Sequence, residues 1–335
     1  MSEIAIKALR ELCLQALIGT GLSETDAAVT ADHYLENECS GKKSHGMVRV
    51  VEAVKVLNKN GVSDKAPEIV LDKGNIAVIE GHMNLGPVIG RMVVDEAIKR
   101  AKEHGLSFVG GRHYIANSGS MAYYLRRLAE QNIIGLMSCN SAPMVAAPDG
   151  IQRLVGTNPI GLGVPSADGH HFIADFATSA IAYGKIMVAV DKGESLPEGR
   201  IIDKDGNPST NPEDAKKDGA ILPLADYRGF ALGLFVELLA AAIGAATIEK
   251  NWFGEDGFFI IAIDPSHLGS AGYTAQVQDI LTQIRDSAPA PSHERVTIPG
   301  DRSAAVLKQT LASGMVDVAD KTLENIQNFA RKEAA

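Results

Sequence analysis

Aromatic residues make up only 5% of this 335-residue chain, and the three cysteines, Cys13, Cys39 and Cys139, stand far apart. No Cys-x-x-Cys pair and no Cys/His spacing of a zinc site occurs, so no bound metal is expected. An odd cysteine count without a secretion signal excludes a disulfide framework, and the thiols read as reduced packing residues. No tract gathers Lys and Arg around aromatics, and the formal net charge is −9, so nucleic acid is not an expected partner. Residues 1–17 read as an amphipathic helix, charged throughout and without the apolar centre of a signal peptide, which points to a cytoplasmic location. The one long apolar run, 229–247, carries Glu237 at its middle and is interrupted by Gly233 and Gly244. A carboxylate at the centre of a bilayer is costly, so the run reads as a buried helix of a large core and not as a membrane span.

Familiar nucleotide and hydrolase signatures are missing as well. There is no Gly-x-Gly-x-x-Gly turn between strand and helix; the nearest string, Gly19-Thr20-Gly21, follows a helix and lacks the third glycine. Walker A, His-Glu-x-x-His and Gly-x-Ser-x-Gly strings are also absent. What is present is an ordinary globular balance, 45% hydrophobic and 22% charged, in a chain long enough for two or three subdomains.

Periodicity divides the chain. Ile6, Leu9, Cys13, Ala16 and Leu17 recur at helical spacing before Gly19 and Gly21. Ser23 followed by Asp26 resembles a capping box that opens a second helix running to about Glu38. Met47, Val50, Val51, Val54 and Leu57 share one face of a third helix that ends before Gly61. From residue 69 the pattern changes, and 69–71 and 76–79 predict two short strands around a turn. Gly86-Pro87 opens a helix to about His104, with Gly105 as its C-cap. Further strands are predicted at 107–110, 133–138, 172–175, 186–190 and 258–263, and a helix at 121–131. Residues 193–223, rich in Gly, Pro, Asp, Asn and Lys, read as a long surface excursion. A charged amphipathic helix follows Asp317. The alternation indicates an α/β chain and leaves the strand directions open.

Three clusters carry the candidate chemistry. In Lys43-Ser44-His45-Gly46-Met47-Val48-Arg49, a histidine suited to proton transfer near neutral pH stands four residues before an arginine, which grips carboxylates bidentately. The plainer reading of the same residues is a helix N-terminus capped by Ser44. Gly156-Thr157-Asn158-Pro159-Ile160-Gly161 is a small polar turn ahead of an apolar strand. Pro299-Gly300-Asp301-Arg302-Ser303 is either an ordinary surface turn or one whose amides bind phosphate or ribose, with Arg302 adding charge. Taken singly, each cluster fits the plainer reading better.

Taken in order, the clusters resemble the malate/L-lactate dehydrogenase family that lacks a Rossmann fingerprint, a family that includes sulfolactate and ureidoglycolate dehydrogenases, 2,3-diketogulonate reductase and Δ1-piperideine-2-carboxylate reductase. The resemblance rests on Ser44-His45-Gly46-x-x-Arg49, Gly156-Thr157-Asn158-Pro159, Asp175-Phe176-Ala177-Thr178-Ser179-Ala180 and Gly184-Lys185. It continues through Asp203-x-x-Gly206-x-Pro208, Leu222-Pro223, Arg228-Gly229-Phe230, Val236-Glu237-Leu238-Leu239, Ile263-Asp264-Pro265 and Pro299-Gly300. The spacing over nearly the whole chain is specific where the single motifs are not.

The resemblance implies an α+β fold with a non-Rossmann cofactor domain, built on a largely antiparallel sheet over about 69–303, with 193–223 as its excursion. Residues 1–68, carrying the catalytic histidine, would pack with 304–335 as a helical unit. It implies a homodimer with the cofactor near the subunit interface. His45 would be the proton donor, Ser44 its relay and Arg49 the clamp on the substrate carboxylate, with Thr157 lining the pocket. Ser118, Gly119, Ser120, Asp175, Phe176, Ala177, Gly184, Lys185, Arg228 and Gly229 would lie along the cofactor, and Gly300, Asp301, Arg302 and Ser303 would reach its adenosine end. Arg228 stands where the family usually has Lys. Many relatives carry an active-site His ahead of the Tyr-Tyr pair; counting back from Tyr123-Tyr124, Asn117 takes its place here, with Ser118 and His113 as neighbouring candidates.

The cofactor would be NADP or NAD. Asp301 suits ribose hydroxyls and Arg302 a 2′-phosphate, and the strings around Thr178 and Pro299 lean to NADPH. The expected reaction is reduction of a small 2-oxo acid. A cyclic ketimine, or 2-imino acid, is the alternative substrate, and a non-catalytic dimer of the same fold is the third reading.

Overall fold

The structure, a computed structural model, describes residues 1–245 and 256–331. Most of the chain packs around two cores. The first joins the two ends of the sequence: Leu9, Cys13, Leu17, Tyr34, Met47, Val50 and Val54 meet Leu323 and Ile326. These side chains come from the helices Ile6–Ile18, Glu24–Cys39, Met47–Asn60 and Asp320–Arg331. Ser23 caps the second of them, its Oγ accepting the Asp26 amide at 3.1 Å and donating to the Asp26 carboxylate at 2.8 Å. The strand Ser2–Ala5 pairs antiparallel with Met315–Val318 and ties the ends together.

The second core lies under a seven-stranded sheet. In spatial order its strands are Glu68–Asp72, Ile76–Glu80, Leu106–Arg112, Gly257–Ile263, Ile134–Cys139, Ile160–Val164 and Phe172–Phe176. Every neighbouring pair is antiparallel except Ile76–Glu80 with Leu106–Arg112. Successive residues of a strand face opposite sides, and two adjacent glycines show what covers each side. A Cβ on Gly111 would strike Ile89 and Val93 of the helix Gly86–His104; one on Gly110 would strike Ile243, just past the helix Tyr227–Ala242. The helix Met121–Glu130 joins Gly86–His104 on the first face, burying Tyr124, Leu125 and Leu128 against Phe258 and Met137.

Four local expectations need correction. Residues 2–5 form a strand and not the first turn of a helix; the partner that makes them a strand lies more than 300 residues away, beyond the reach of local periodicity. Residues 186–190 belong to the helix Tyr183–Lys192. Their unbroken apolar run hides a helical pattern in which Ile186 and Ala189 are buried while Val188 is 49% exposed. The 193–223 segment is not a bare surface loop. Its strands Ile201–Ile202, Pro208–Ser209 and Ala220–Ile221 join Val145–Ala146 and Arg153–Val155 in a five-stranded sheet, with Ile201, Ile221 and Ala215 buried in a core of their own. The apolar run at 229–247 gives the helix Tyr227–Ala242, which buries only one face; Phe235 and Leu238, on the other, are 57% and 61% exposed. Ala246 and Thr247, at the end of that run, lie outside the described residues, as do 332–335 at the end of the C-terminal unit. No helix among the described residues is long and apolar enough to cross a membrane.

Candidate active site

The Ser44-His45 pair sits in a turn whose shape is set by a buried carboxylate. After Glu24–Cys39 ends, the chain passes Gly41 at φ +80° and makes one 3₁₀ turn, Lys43–His45, before Met47–Asn60 begins. The first amide of that new helix, Met47 N–H, is an orphan donor, and Glu38 Oε2 accepts it at 2.8 Å. Lys43 Nζ meets the other oxygen at 2.9 Å. Gly46 is required by this arrangement, because a Cβ there would overlap Glu38 Oε2 and crowd its backbone. Ser44 is therefore not the helix cap. Its Oγ lies 3.0 Å from His45 Nδ1, which leaves Nε2 as the ring atom without a described partner. Arg49, one turn into the helix, donates from Nε to the Ser44 carbonyl at 2.8 Å and pairs with Glu52 through Nη1.

Opposite the turn lies the edge strand Phe172–Phe176. Asp175 Oδ2 accepts from Lys42 Nζ at 2.8 Å, Ser120 Oγ at 2.8 Å and the Ala122 amide at 3.3 Å. The 117–120 loop is held just as closely. Asn117 Oδ1 accepts the Gly119 amide at 2.7 Å, and the Asn117 and Ser118 carbonyls accept the Tyr34 and Tyr124 hydroxyls at 2.6 Å each. Gly119, at φ +86°, has no room for a side chain because the His33 ring occupies that space. A Cβ built on Gly184, at the start of Tyr183–Lys192, would stand 3.6 Å from Ser44 Cβ. Ser44, His45, Ser120, Asp175 and Gly184 thus converge from four separate segments.

Burial dominates the electrostatics. It lowers the His45 pKa to about 4, with Arg49 and Lys42 lowering it further while Asp175 and Glu52 oppose them. The ring is neutral at pH 7. Burial pushes the Asp175 carboxyl up, but Lys42 and the Ser120 hydroxyl more than offset it and hold the group below the usual carboxylate range. His33, wholly buried among Tyr34, Tyr123 and Tyr124, is lowered to about 3, by burial first and then by His45.

Other sequence candidates surround this centre without touching its hydrogen bonds. Thr157 accepts the Thr178 amide on its carbonyl at 3.0 Å, and Asn158 donates to the buried Glu237 at 2.9 Å. Gly229 packs against the Leu224 and Thr178 carbonyls, a contact that makes it a packing residue. Phe176 is exposed, and Ala177 is half-buried. Ser118 is turned inward beside Tyr114. His113 pairs with Glu80 at 2.9 Å, away from the turn's hydrogen bonds. Gly300, at φ +102°, lies against the backbone of His171 and of Ile173, at the start of the strand that carries Asp175. Ser303 Oγ donates to the Gly300 carbonyl at 3.0 Å. Asp301 is engaged by Arg285 at 2.8 Å and accepts the Ile298 amide at 3.1 Å. Lys185, Arg228 and Arg302 are exposed and form no salt bridge with the described residues. Lys42, Glu38 and His33 escape the sequence reading: Lys42 directly precedes the cluster, but nothing local shows that it reaches a strand 133 positions away.

The whole chain has known counterparts. A family model described as malate/L-lactate dehydrogenase matches residues 4–327. The chain is 32% identical to a malate dehydrogenase of Pyrococcus horikoshii over 95% of this chain and 92% of that one. It is 34% identical to an L-sulfolactate dehydrogenase of Methanocaldococcus jannaschii, over 87% and 86%. A Δ1-pyrroline-2-carboxylate/Δ1-piperideine-2-carboxylate reductase of Pseudomonas syringae pv. tomato is 29% identical over 96% and 94%. Among solved structures, sulfolactate dehydrogenase from Methanocaldococcus jannaschii superposes with a TM-score of 0.89 at 29% identity, over 99% of this chain and 98% of that one.

The His33 environment predicts acid sensitivity. Unfolded, the ring takes a proton below its ordinary 6.5; folded, it stays neutral to about 3. The unfolded state therefore binds more protons in that window, and stability falls as pH drops through it. Between pH 7 and pH 5 a His33→Phe variant should lose less stability than the parent, by about 2 kcal/mol, measured from denaturant midpoints. Equal losses would remove His33 from the acid response.

Proposed function

We propose that the chain, which belongs to the malate/L-lactate dehydrogenase family, reduces a small 2-oxo acid to the 2-hydroxy acid with His45 as the acid and Arg49 as the carboxylate clamp. The chain is an oxidoreductase, as the dehydrogenases and reductases it resembles are, and NAD(P)H is its proposed hydride source. The observation that supports the assignment of roles is the convergence of Ser44 and His45 on Asp175 and Gly184, with Arg49 bonded to the Ser44 carbonyl.

The cofactor is assigned to the cations left over. Lys185, Arg228 and Arg302 are cations without a described ionic partner, suited to a diphosphate and its substituents. When bound, the reduced nicotinamide supplies the hydride. The chain supplies orientation and the proton. Arg49 Nη2 has no partner among the described residues and would take a substrate carboxylate, which fixes the adjacent carbonyl carbon. A bound carboxylate also offsets the Arg49 charge and makes His45 easier to protonate where the developing alkoxide needs it. In the reverse direction the neutral imidazole is ready as a base. Ser44 holds Nδ1 and so fixes which ring nitrogen meets the substrate. Asn117, with Oδ1 and its carbonyl already engaged, offers only its Nδ2 as a non-titrating donor.

A cyclic 2-imino acid is the second reading, supported by the likeness to the Pseudomonas syringae reductase. NADPH is the favoured nucleotide because Asp301 is tied to Arg285 while Arg302 has no ionic partner among the described residues. A homodimer is favoured by the apolar face of Tyr227–Ala242, where Tyr227, Phe235 and Leu238 are 63%, 57% and 61% exposed. A reducing cytoplasm suits the free Cys13 and Cys39, whose thiols burial pushes up to about 12 and about 11.

A panel of pyruvate, oxaloacetate, 2-oxoglutarate, sulfopyruvate and Δ1-piperideine-2-carboxylate, each with NADPH and NADH, tests the reading. Turnover of a 2-oxo acid is expected, with His45→Ala losing about a hundredfold or more in kcat and Arg49→Lys mainly raising substrate KM. Unchanged kinetics in either variant would end that residue's role. Arg302→Glu should raise KM for NADPH at least about tenfold and leave KM for NADH nearly unaltered; equal effects on both would reject the 2′-phosphate contact. Sedimentation should give twice the 35.4 kDa chain mass, and a monomer would contradict the dimer.

A further inference from the structure

Lys42 belongs to none of the motifs that identify the site, yet it is the side chain through which the turn bearing His45 reaches the sheet. We propose that Lys42 is a positioning residue for His45: it pins the turn to Asp175 and Ser120 and fixes a positive charge beside the ring without touching the substrate. The proposal rests on the reading of His45 as the acid–base group.

The connection is short and rigid. Lys42 Nζ donates to Ser120 Oγ and to Asp175 Oδ2, both at 2.8 Å, and Ser120 Oγ donates to the same carboxylate oxygen at 2.8 Å. These three groups close a small ring. The Lys42 and Asp175 side chains are 27% and 18% exposed, so the pair is shielded from bulk solvent and from salt. The backbone carries the constraint onward: the His45 amide donates to the Lys42 carbonyl at 2.9 Å, and the Lys42 amide donates to the Asn37 carbonyl at 2.9 Å. At the far end Asp175 is fixed by its register opposite Gly161 in the sheet. A shift of the ammonium would therefore move His45 itself.

The charge matters as much as the tether. The groups facing His45 are Arg49 and Glu52 from the helix Met47–Asn60 that follows it, Lys42 from just before its own turn, Asp175 from the sheet edge and His33 from Glu24–Cys39. Burial, Arg49 and Lys42 disfavour the imidazolium, and Asp175 and Glu52 favour it. Removing Lys42 deletes one opposing cation and leaves Asp175 uncompensated. Both changes push in one direction, toward easier protonation of His45.

The test compares full-length protein with Lys42→Met and Lys42→Arg. The His45 titration is followed by NMR of histidine-labelled protein, assigned with His45→Ala, alongside kcat and KM for the best 2-oxo acid. In Lys42→Met the His45 midpoint should rise by about one pH unit or more and kcat should fall about tenfold or more. In Lys42→Arg both should return most of the way. If the methionine variant does not fold, Lys42→Gln keeps a donor to Asp175, loses only the charge, and should show the same rise. An unmoved midpoint, with or without lost turnover, would reduce Lys42 to a structural contact and overturn the proposal. A raised midpoint in a protein that reduces no 2-oxo acid would uphold the coupling and refute the functional reading beneath it.

Discussion

The ion pair between Lys42 and Asp175 joins two halves of the molecule that fold around separate cores. On one side stands the helical unit made from both ends of the chain, whose core holds the turn bearing Ser44 and His45 in place through the Glu38 carboxylate. On the other stands the seven-stranded sheet, which ends at the strand carrying Asp175. The Lys42–Asp175 contact, at 2.8 Å and largely shielded, ties the His45 turn to the sheet edge, alongside the Tyr34–Asn117 hydrogen bond and the packing of His33 on Gly119. An ion pair of this kind contributes little to net stability, since desolvation offsets its attraction. Its value lies in geometry: it holds His45, the proposed acid–base group, against a sheet edge from a different unit.

The electrostatics follow from the same meeting. His45 is neutral at rest because burial and two cations, Arg49 and Lys42, oppose its protonation. An anionic substrate on Arg49, as proposed, would reverse part of that balance. On the proposed reading, the site would be more competent as an acid when a carboxylate is bound than when it is empty, a form of substrate-assisted tuning that requires no moving part. The departure at Asn117 fits this economy. On the proposed reading, the non-titrating amide of Asn117 leaves one ring to govern the proton chemistry.

Much of this was legible in the sequence, and the parts that were not share a cause. The helices of the N-terminal unit, the helix Gly86–His104 with its Gly105 cap, and most strands of the large sheet follow from local periodicity and turn residues. The Ser44, His45 and Arg49 trio is visible as a string, and the order of the motifs identifies the family. Hidden features depend on distant partners. The strand Ser2–Ala5 needs Met315–Val318, the small sheet at 201–221 needs Val145–Ala146, and Lys42 needs Asp175. Gly46 is plain in the motif, but its reason, the Glu38 carboxylate pressed against it, appears only in three dimensions. Asp301 illustrates the opposite hazard: a residue of suitable type in a suitable place, whose carboxylate is already engaged by Arg285.

The most direct test of the central claim is a crystal structure of the protein with NADPH and oxamate, an unreactive mimic of a 2-oxo acid. The account predicts the oxamate carboxylate on Arg49 and its carbonyl oxygen within hydrogen-bonding distance of His45 Nε2, with Lys42 still paired to Asp175. Oxamate bound away from both Arg49 and His45 would contradict it.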